Sequence, residues 1–225
     1  MHTPTRPYSH HYQEHYWWNG AEEKQHTFLH GNNLPARFAA LNQTDTFTVA
    51  ELGFGTGLNA LLTLHLHATT ARGSHLTYIS YEQHPFTLAG LSAIHATFPA
   101  YLQPFAQALQ AVYAPQAGWN TWHLSDTTLH LYIGDASTGI TTHPQAAHVW
   151  FLDGFSPAVN PAMWSPALMA AIHANTYAGG TASTYSVARV VKDALTGAGY
   201  TITRIAGHPP KQHMLTARKS SSGAE

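Results

Sequence analysis

Eleven carboxylates serve a chain of 225 residues, so their positions carry information. Four of the nine that precede residue 189 close apolar, strand-like runs: Glu51, Glu82, Asp135 and Asp153. In an open α/β sheet, ligands bind outside the carboxyl ends of the strands. Acids gathered there can accept hydrogen bonds from the hydroxyls, amines and cationic groups of one ligand. Scattered surface acids would fall more often on helices.

The first of these acids opens Glu51-Leu52-Gly53-Phe54-Gly55-Thr56-Gly57-Leu58-Asn59. Alternate glycines let the backbone take positive φ and let a ligand approach it closely. A helix that follows such a turn offers free N–H groups at its N-terminus. The pattern reads as a nucleotide or nucleoside site. A phosphate-binding P-loop needs Gly-Lys-Ser/Thr, and the chain has no Gly-Lys dipeptide. A dinucleotide fold stays open, because Gly55-Thr56-Gly57-Leu58-Asn59-Ala60 satisfies G-x-G-x-x-A and Glu82 follows where the ribose ligand should be. Two features favour S-adenosylmethionine instead. An acid precedes the glycines, and two more acids end later strands. That cofactor has cationic sulfonium and amino groups, two ribose hydroxyls and an adenine amine for acids to accept from, and no pyrophosphate.

These residues need a scaffold, and the hydropathy pattern supplies one. Strands are expected at 47–52, 76–82, 128–133, 147–152 and 181–185, with a terminal hairpin at 200–205 and 214–217. Helices are expected at 56–68, 85–98, 166–175 and 187–198, the last ending at Gly199. Gly179-Gly180 reads as a turn. Strands separated by helices argue for an α/β sheet with parallel strands and right-handed crossovers. Residues 1–45 read as an irregular lead-in packing on or over the site, 46–219 as one domain, and 220–225 as a disordered tail.

Composition removes other classes. There is no cysteine, which excludes a disulfide framework, thiolate zinc sites and a cysteine nucleophile. Charged residues are 9% of the chain and the net charge is −1, so this is not a strongly basic nucleic-acid binder. The bases are concentrated late: residues 189–225 hold six bases and two acids, against four and nine before them. No apolar run is long enough to span a membrane and no signal-peptide core is present, so a cytoplasmic protein is expected. The 18 histidines form neither HExxH nor a histidine–carboxylate set, and no metal is expected. Protonating all of them would carry the charge from −1 to +17, so mild acid is expected to strengthen RNA binding.

The chain resembles the methyltransferase domain of the bacterial bifunctional MnmC family, which makes 5-methylaminomethyl-2-thiouridine in tRNA, and its stand-alone relatives. The resemblance rests on Thr27-Phe28-Leu29-His30-Gly31-Asn32-Asn33-Leu34 with Arg37-Phe38, on the glycine turn through Asn59, and on Ile79-Ser80-Tyr81-Glu82-Gln83-His84-Pro85. Its most specific block is Trp150-Phe151-Leu152-Asp153-Gly154-Phe155-Ser156-Pro157, followed by Asn160-Pro161 and Met163-Trp164. It implies a class I, Rossmann-like methyltransferase with a seven-stranded, mostly parallel sheet and S-adenosyl-L-methionine as cofactor. The implied reaction is N-methylation of 5-aminomethyl-(2-thio)uridine at the tRNA wobble position. A small amine is the alternative acceptor, and a nicotinamide-dependent oxidoreductase a more distant reading. A flavin-dependent oxidoreductase, fused or separate, is an implied partner.

The resemblance also implies roles. Glu51 and Gly53, Phe54, Gly55, Thr56 and Gly57 would hold the methionine part, with Asn59 in the same set. Glu82 would take the ribose hydroxyls, Gln83 belongs to the same cofactor-binding set, and Asp135 would lie near adenine. Asp153 would sit at the methyl-transfer pocket, either accepting the proton of the amine or holding the methionine ammonium. Phe155, Pro157, Asn160, Trp164 and Lys211 would meet the substrate, and Tyr16, Trp17 and Trp18 are further stacking candidates.

Overall fold

The run Ala147–Leu152 has only one polar side chain, and it forms a strand whose last four residues are all buried. A strand apolar on both faces belongs in the middle of a sheet covered on both sides. The computed structural model puts it there. It describes residues 20–142 and 146–221, and before them the backbone of two short antiparallel strands, β1 (Tyr8–Ser9) and β2 (Glu14–His15). Tyr16, Trp17 and Trp18, and the tail from 222, lie outside the described residues.

The main strands are β3 (Thr46–Leu52), β4 (His75–Glu82), β5 (Gly118–Leu124), β6 (Thr127–Ile133), β7 (Ala147–Leu152), β8 (Thr176–Thr184), β9 (Thr201–Ala206) and β10 (His213–Arg218). They form an eight-stranded sheet in the order β5-β6-β4-β3-β7-β8-β10-β9. The five strands β6, β4, β3, β7 and β8 are parallel; β5 and β10 pair antiparallel with their inner neighbours, as does β9 with β10. The sheet therefore has one strand more than the seven expected. The extra strand, β5, is an edge strand with mixed exposure and the composition Gly-Trp-Asn-Thr-Trp-His-Leu, so it carries no clean alternation. Gly179-Gly180 is also not a turn: both glycines lie inside β8, beside an irregularity in its pairing with β7.

The period of two along each strand divides the core. Phe47, Val49, Tyr78 and Phe151 face one layer, which is covered by α3 (Leu58–Thr70), α4 (Leu88–His95) and α5 (Gln103–Val112). Ala50, Leu52, Tyr81 and Trp150 face the other, covered by α6 (Ala136–Thr142), α7 (Pro166–Ala174) and α8 (Arg189–Gly197). Glu51 lies on the α3 side, opposite Ser80 of β4 and Phe151 of β7.

The lead-in is more regular than expected. It contains α1 (Ala21–Lys24), a π-helical turn at Gln25–His30 and α2 (Leu34–Ala39). Phe28, Leu34 and Phe38 are at most 1% exposed and join the α3 core. Helices this short are not stable alone; tertiary burial of these side chains forms them. Asn33, in the left-handed region at φ 53°, redirects the chain between them. Among the described residues, no helix is long and apolar enough to cross a membrane.

Crossovers leave β3 in opposite directions, through β4 to β6 on one side and through β7 to β8 on the other. That reversal opens a crevice at the carboxyl ends of β3 and its neighbours. Glu82, Asp135 and Asp153 open onto it, and Glu51 is buried just behind.

Candidate cofactor and acceptor site

The glycine turn leaves β3 with Gly53, Gly55 and Gly57 all at positive φ. At Gly53, φ is +85° and an added Cβ would stand 3.1 Å from the backbone oxygen of Asp153, so a side chain there would be both strained and crowded. The turn is tied to β4 through the N–H of Gly53, which donates to Tyr81 O at 3.0 Å. Glu82 ties it again. Its Oε2 accepts from Gly55 N at 2.8 Å and its Oε1 accepts from His84 N at 2.8 Å.

Glu51 is 1% exposed and stands behind the cavity wall rather than on it. Its Oε1 accepts from Asn59 Nδ2 at 2.7 Å and its Oε2 from the Ser80 hydroxyl at 3.0 Å. Burial, reinforced by the nearby Asp153 charge, pushes its carboxyl up to about 8. Asn59 Nδ2 also donates to Asp153 Oδ2 at 2.8 Å, so one amide spans both acids. Among the described residues, the Oδ1 of Asn59 is buried without a partner.

Asp153 follows β7 and is 12% exposed. Lys24 of α1 forms an ion pair with its Oδ2. Burial raises the Asp153 carboxyl above its ordinary range, while Lys24, Asn59 and Lys211 pull it back. Beside Lys24, Glu23 accepts at Oε1 from Lys211 Nζ at 2.6 Å, and that ammonium stands 3.9 Å from the centre of the Tyr185 ring. The Tyr185 hydroxyl donates to Gly154 O at 2.6 Å. Helix α1 and the β9–β10 loop thus close one side of the cavity.

Most of the expected site residues do converge. Gly53, Phe54, Gly55, Thr56, Asn59, Glu82, Gln83, Asp135 and Asp153 line one cavity, and Phe155, Asn160 and Lys211 line it too. Asp135 also caps α6, accepting from Thr138 N at 3.1 Å. Glu51, Gly57, Pro157 and Trp164 are not part of its lining. Trp164 is 1% exposed, and its indole N–H donates to Phe155 O at 2.8 Å. It holds the Phe155 loop from behind and offers no face to a base. Sequence reasoning missed Glu23, Lys24, Thr27 and Tyr185, which also line the cavity. Lys24 was legible in part, as one of only four bases before residue 189.

A model of S-adenosyl-L-methionine-dependent methyltransferases matches residues 100–220, more than half of the chain. The chain belongs to that family. Three curated relatives carry the name tRNA 5-methylaminomethyl-2-thiouridine biosynthesis bifunctional protein MnmC. That of Stutzerimonas stutzeri is 34% identical over 97% of this chain and 34% of its own length. That of Chromobacterium violaceum is 36% identical over 87% and 30%, and that of Magnetococcus marinus 37% over 95% and 32%. The chain thus spans about a third of the length of these relatives. The crystal structure of MNMC2 from Aquifex aeolicus superposes with a TM-score of 0.78 over 94% of this chain and 65% of that one, at 19% identity. A putative class I methyltransferase from Listeria monocytogenes shares the fold at a TM-score of 0.51 and 9% identity.

The methyltransferase takes S-adenosyl-L-methionine, and its own residues fit that cofactor. The Gly55 amide is occupied by the Glu82 carboxylate, so the turn offers it to no pyrophosphate. Acids dominate the strand ends, and the cations Lys24 and Lys211 approach from the opposite wall, each on a carboxylate. The unpartnered Asn59 Oδ1 adds a buried acceptor beside the turn. Among the described residues, no three His, Asp or Glu side chains gather as metal ligands.

Proposed function

We propose that this methyltransferase N-methylates 5-aminomethyl-(2-thio)uridine at the tRNA wobble position, giving 5-methylaminomethyl-(2-thio)uridine. One observation carries the reading: a largely buried carboxylate, Asp153, and the aromatic Phe155 line the same cavity as the residues proposed to hold the cofactor. A carboxylate suits an acceptor that must lose a proton, and a phenyl ring suits a base. The names of the curated relatives support the same substrate.

Each residue has a stated task in this reading. The bound cofactor supplies an activated methyl group. Glu82 and Gln83 hold the ribose, Asp135 borders the adenine, and the glycine turn with Asn59 seats the methionine part. Asp153 accepts an N–H of the amine, orients the lone pair and receives the proton. Phe155 packs against the uracil, and base–aromatic stacking is worth ~1–3 kcal/mol. Alignment of the reacting atoms by these contacts supplies much of the rate.

Residues 46–219 are proposed as the catalytic domain and the preceding segment as one wall of its site. An oxidoreductase that supplies or follows this step, fused or separate, is the proposed partner, and the cytoplasm the proposed location. A small amine is the second reading. The observation behind it is that both cations on the cavity wall are already paired with acids, which leaves them less charge to offer phosphates.

The test is incubation with labelled S-adenosyl-L-methionine and bulk tRNA carrying 5-aminomethyluridine, followed by nucleoside analysis. The expected result is a methylaminomethyl product from wild type and none from Asp153→Ala. Cofactor binding without any tRNA product would reject the tRNA reading.

A further inference from the structure

An alkylamine is a cation in neutral water, since an unperturbed lysine amine titrates near ~10.4. Only about one molecule in ~10³ then carries the free lone pair that methylation requires. An isolated carboxylate in the cavity would bind the wrong form, because it attracts the ammonium. Asp153 is not an isolated carboxylate: Lys24 is paired with it.

Lys24 reaches Asp153 across 129 residues of sequence, and their side chains are 16% and 12% exposed. Its placement is fixed from several sides. The Lys24 N–H donates to Gly20 O at 2.8 Å, and its ammonium lies 5.3 Å from the Phe28 ring centre, one turn on. The adjacent Glu23 is anchored to Lys211 of the β9–β10 loop. Both the Lys24 and the Asn59 bonds fall on Asp153 Oδ2, and Oδ1 takes neither.

We propose that Lys24 is the residue that selects the form of the acceptor: bound on Asp153 Oδ2, it admits a neutral amine to Oδ1 and turns away the protonated amine. The inference rests on the amine-methylating reading above. The charges around the pair agree with it. From β3, Glu51 is buried and bonded to Asn59 and Ser80, with Tyr78 of β4 beside it. Glu82, at the end of β4, is bonded to two backbone amides. Asp135 caps α6. On the α1 side, Glu23 is paired with Lys211, and the exposed Glu22 lies 3.9 Å from His208. Beyond β8, Tyr185 donates to Gly154 O. Asp153 is the carboxylate that the reading above sets against the acceptor, and Lys24 already balances its charge. An ammonium there would face a like charge, which lowers an amine's pKa by ~1–3 units at ~4–6 Å.

The step balances. The amine lone pair forms the new N–C bond as the S–C bond breaks and sulfur keeps the electron pair. The surplus proton on nitrogen passes to Asp153 Oδ1.

Calorimetry with sinefungin, a cofactor analogue carrying an amine in place of the methylated sulfur, tests this without turnover. S-adenosylhomocysteine, a neutral thioether at that position, is the control. Titrations near neutral pH in buffers of different ionisation enthalpy count the protons released. Wild type and Lys24→Arg should release a measurable fraction of a proton with sinefungin, rising toward about pH 8, and none with the control. Lys24→Met should release none and bind sinefungin about tenfold or more tightly relative to the control. No release by wild type, or the same release by Lys24→Met, overturns the proposal. In a second arm, Lys24→Met should lose about tenfold or more in kcat/KM on the tRNA near neutral pH and recover by about pH 9. A loss equal at every pH would mark a merely structural role and overturn it as well. Wild type that makes no methylated nucleoside yet releases the proton would reject the tRNA reading and leave the Lys24 assignment standing. Active wild type without the proton release would do the reverse.

Discussion

Asn59 Nδ2 donates to Glu51 Oε1 at 2.7 Å and to Asp153 Oδ2 at 2.8 Å, so one carboxamide of α3 joins the ends of two neighbouring strands. Its Oδ1 stays buried without a partner among the described residues. The amide bonds both carboxyls at once, and it leaves one acceptor for a ligand.

Asn59→Ala should therefore damage binding more than folding. Loss of the two bonds is expected to cost about 1–3 kcal/mol of stability. Cofactor affinity, measured by calorimetry, should fall about tenfold or more, since a charge-assisted bond is worth about 1.5–3 kcal/mol. Unchanged affinity would remove Asn59 from the cofactor set.

Asp153→Asn separates the two alternative roles proposed for this residue. As proton acceptor, Asp153 supports turnover, and the variant should lose about 10²–10⁴-fold in kcat while still binding S-adenosylhomocysteine. As holder of the methionine ammonium, it supports affinity, and the variant should bind weakly. Single-turnover kinetics beside calorimetry reads both quantities.

Glu51 gives the protein a pH signature. Its carboxyl titrates near 8 when folded, against an ordinary value of 4.5. Between those values the folded state retains a proton that the unfolded state has lost. Its contribution to stability is thus fully present below 4.5 and declines as pH rises to about 8. Glu51→Gln, which keeps the size and stays neutral, should flatten this decline in urea melts recorded from pH 5 to 8. Parallel curves for the two proteins would show that Glu51 is ionised in the fold.

Trp164 should behave as a support for the loop and not as a stacking surface. Trp164→Phe keeps most of the packing and removes the bond to Phe155 O, so about 1 kcal/mol of stability should be lost. The acceptor KM should rise a few-fold with kcat nearly unchanged. Trp164→Ala opens a core cavity and should cost about 3–5 kcal/mol. A large kcat defect in Trp164→Phe at unchanged melting temperature would place the indole in the reaction.

Mild acid is expected to tighten tRNA binding through the many histidines, but His148 does not contribute. Burial and the nearby Arg37 hold it down to about 4, and its Nδ1 accepts from Thr48 N at 3.0 Å. Because the unfolded histidine protonates first, this residue's stabilising contribution is lost as pH falls from 6.5 to about 4. Filter binding at constant salt should show tighter tRNA binding at about pH 6 than at about pH 8, where the surface histidines change charge. Equal affinities would exclude the histidine surface from RNA contact.

Local pattern was enough to read the central architecture. The apolar run of β7, the leucine spacing of α3 and the alternate glycines after Glu51 are short-range features, and each is set by backbone sterics or by a single periodicity. Acids at the ends of successive parallel strands follow from that order, since the carboxyl ends of parallel strands share one edge. Glu51, Glu82, Asp135 and Asp153 were therefore legible as a group before their distances were known. The lead-in and edge strand β5 were not. Their segments are short, and their order comes from burying Phe28, Phe38 and Leu124 against residues distant in sequence. The same limit applies to the chemistry. Sequence placed an acid at position 153, but only the folded chain sets Lys24 on one of its oxygens, puts Asn59 between it and Glu51, and turns Trp164 into the core. Those contacts join residues on separate elements, and no periodicity along the chain encodes them.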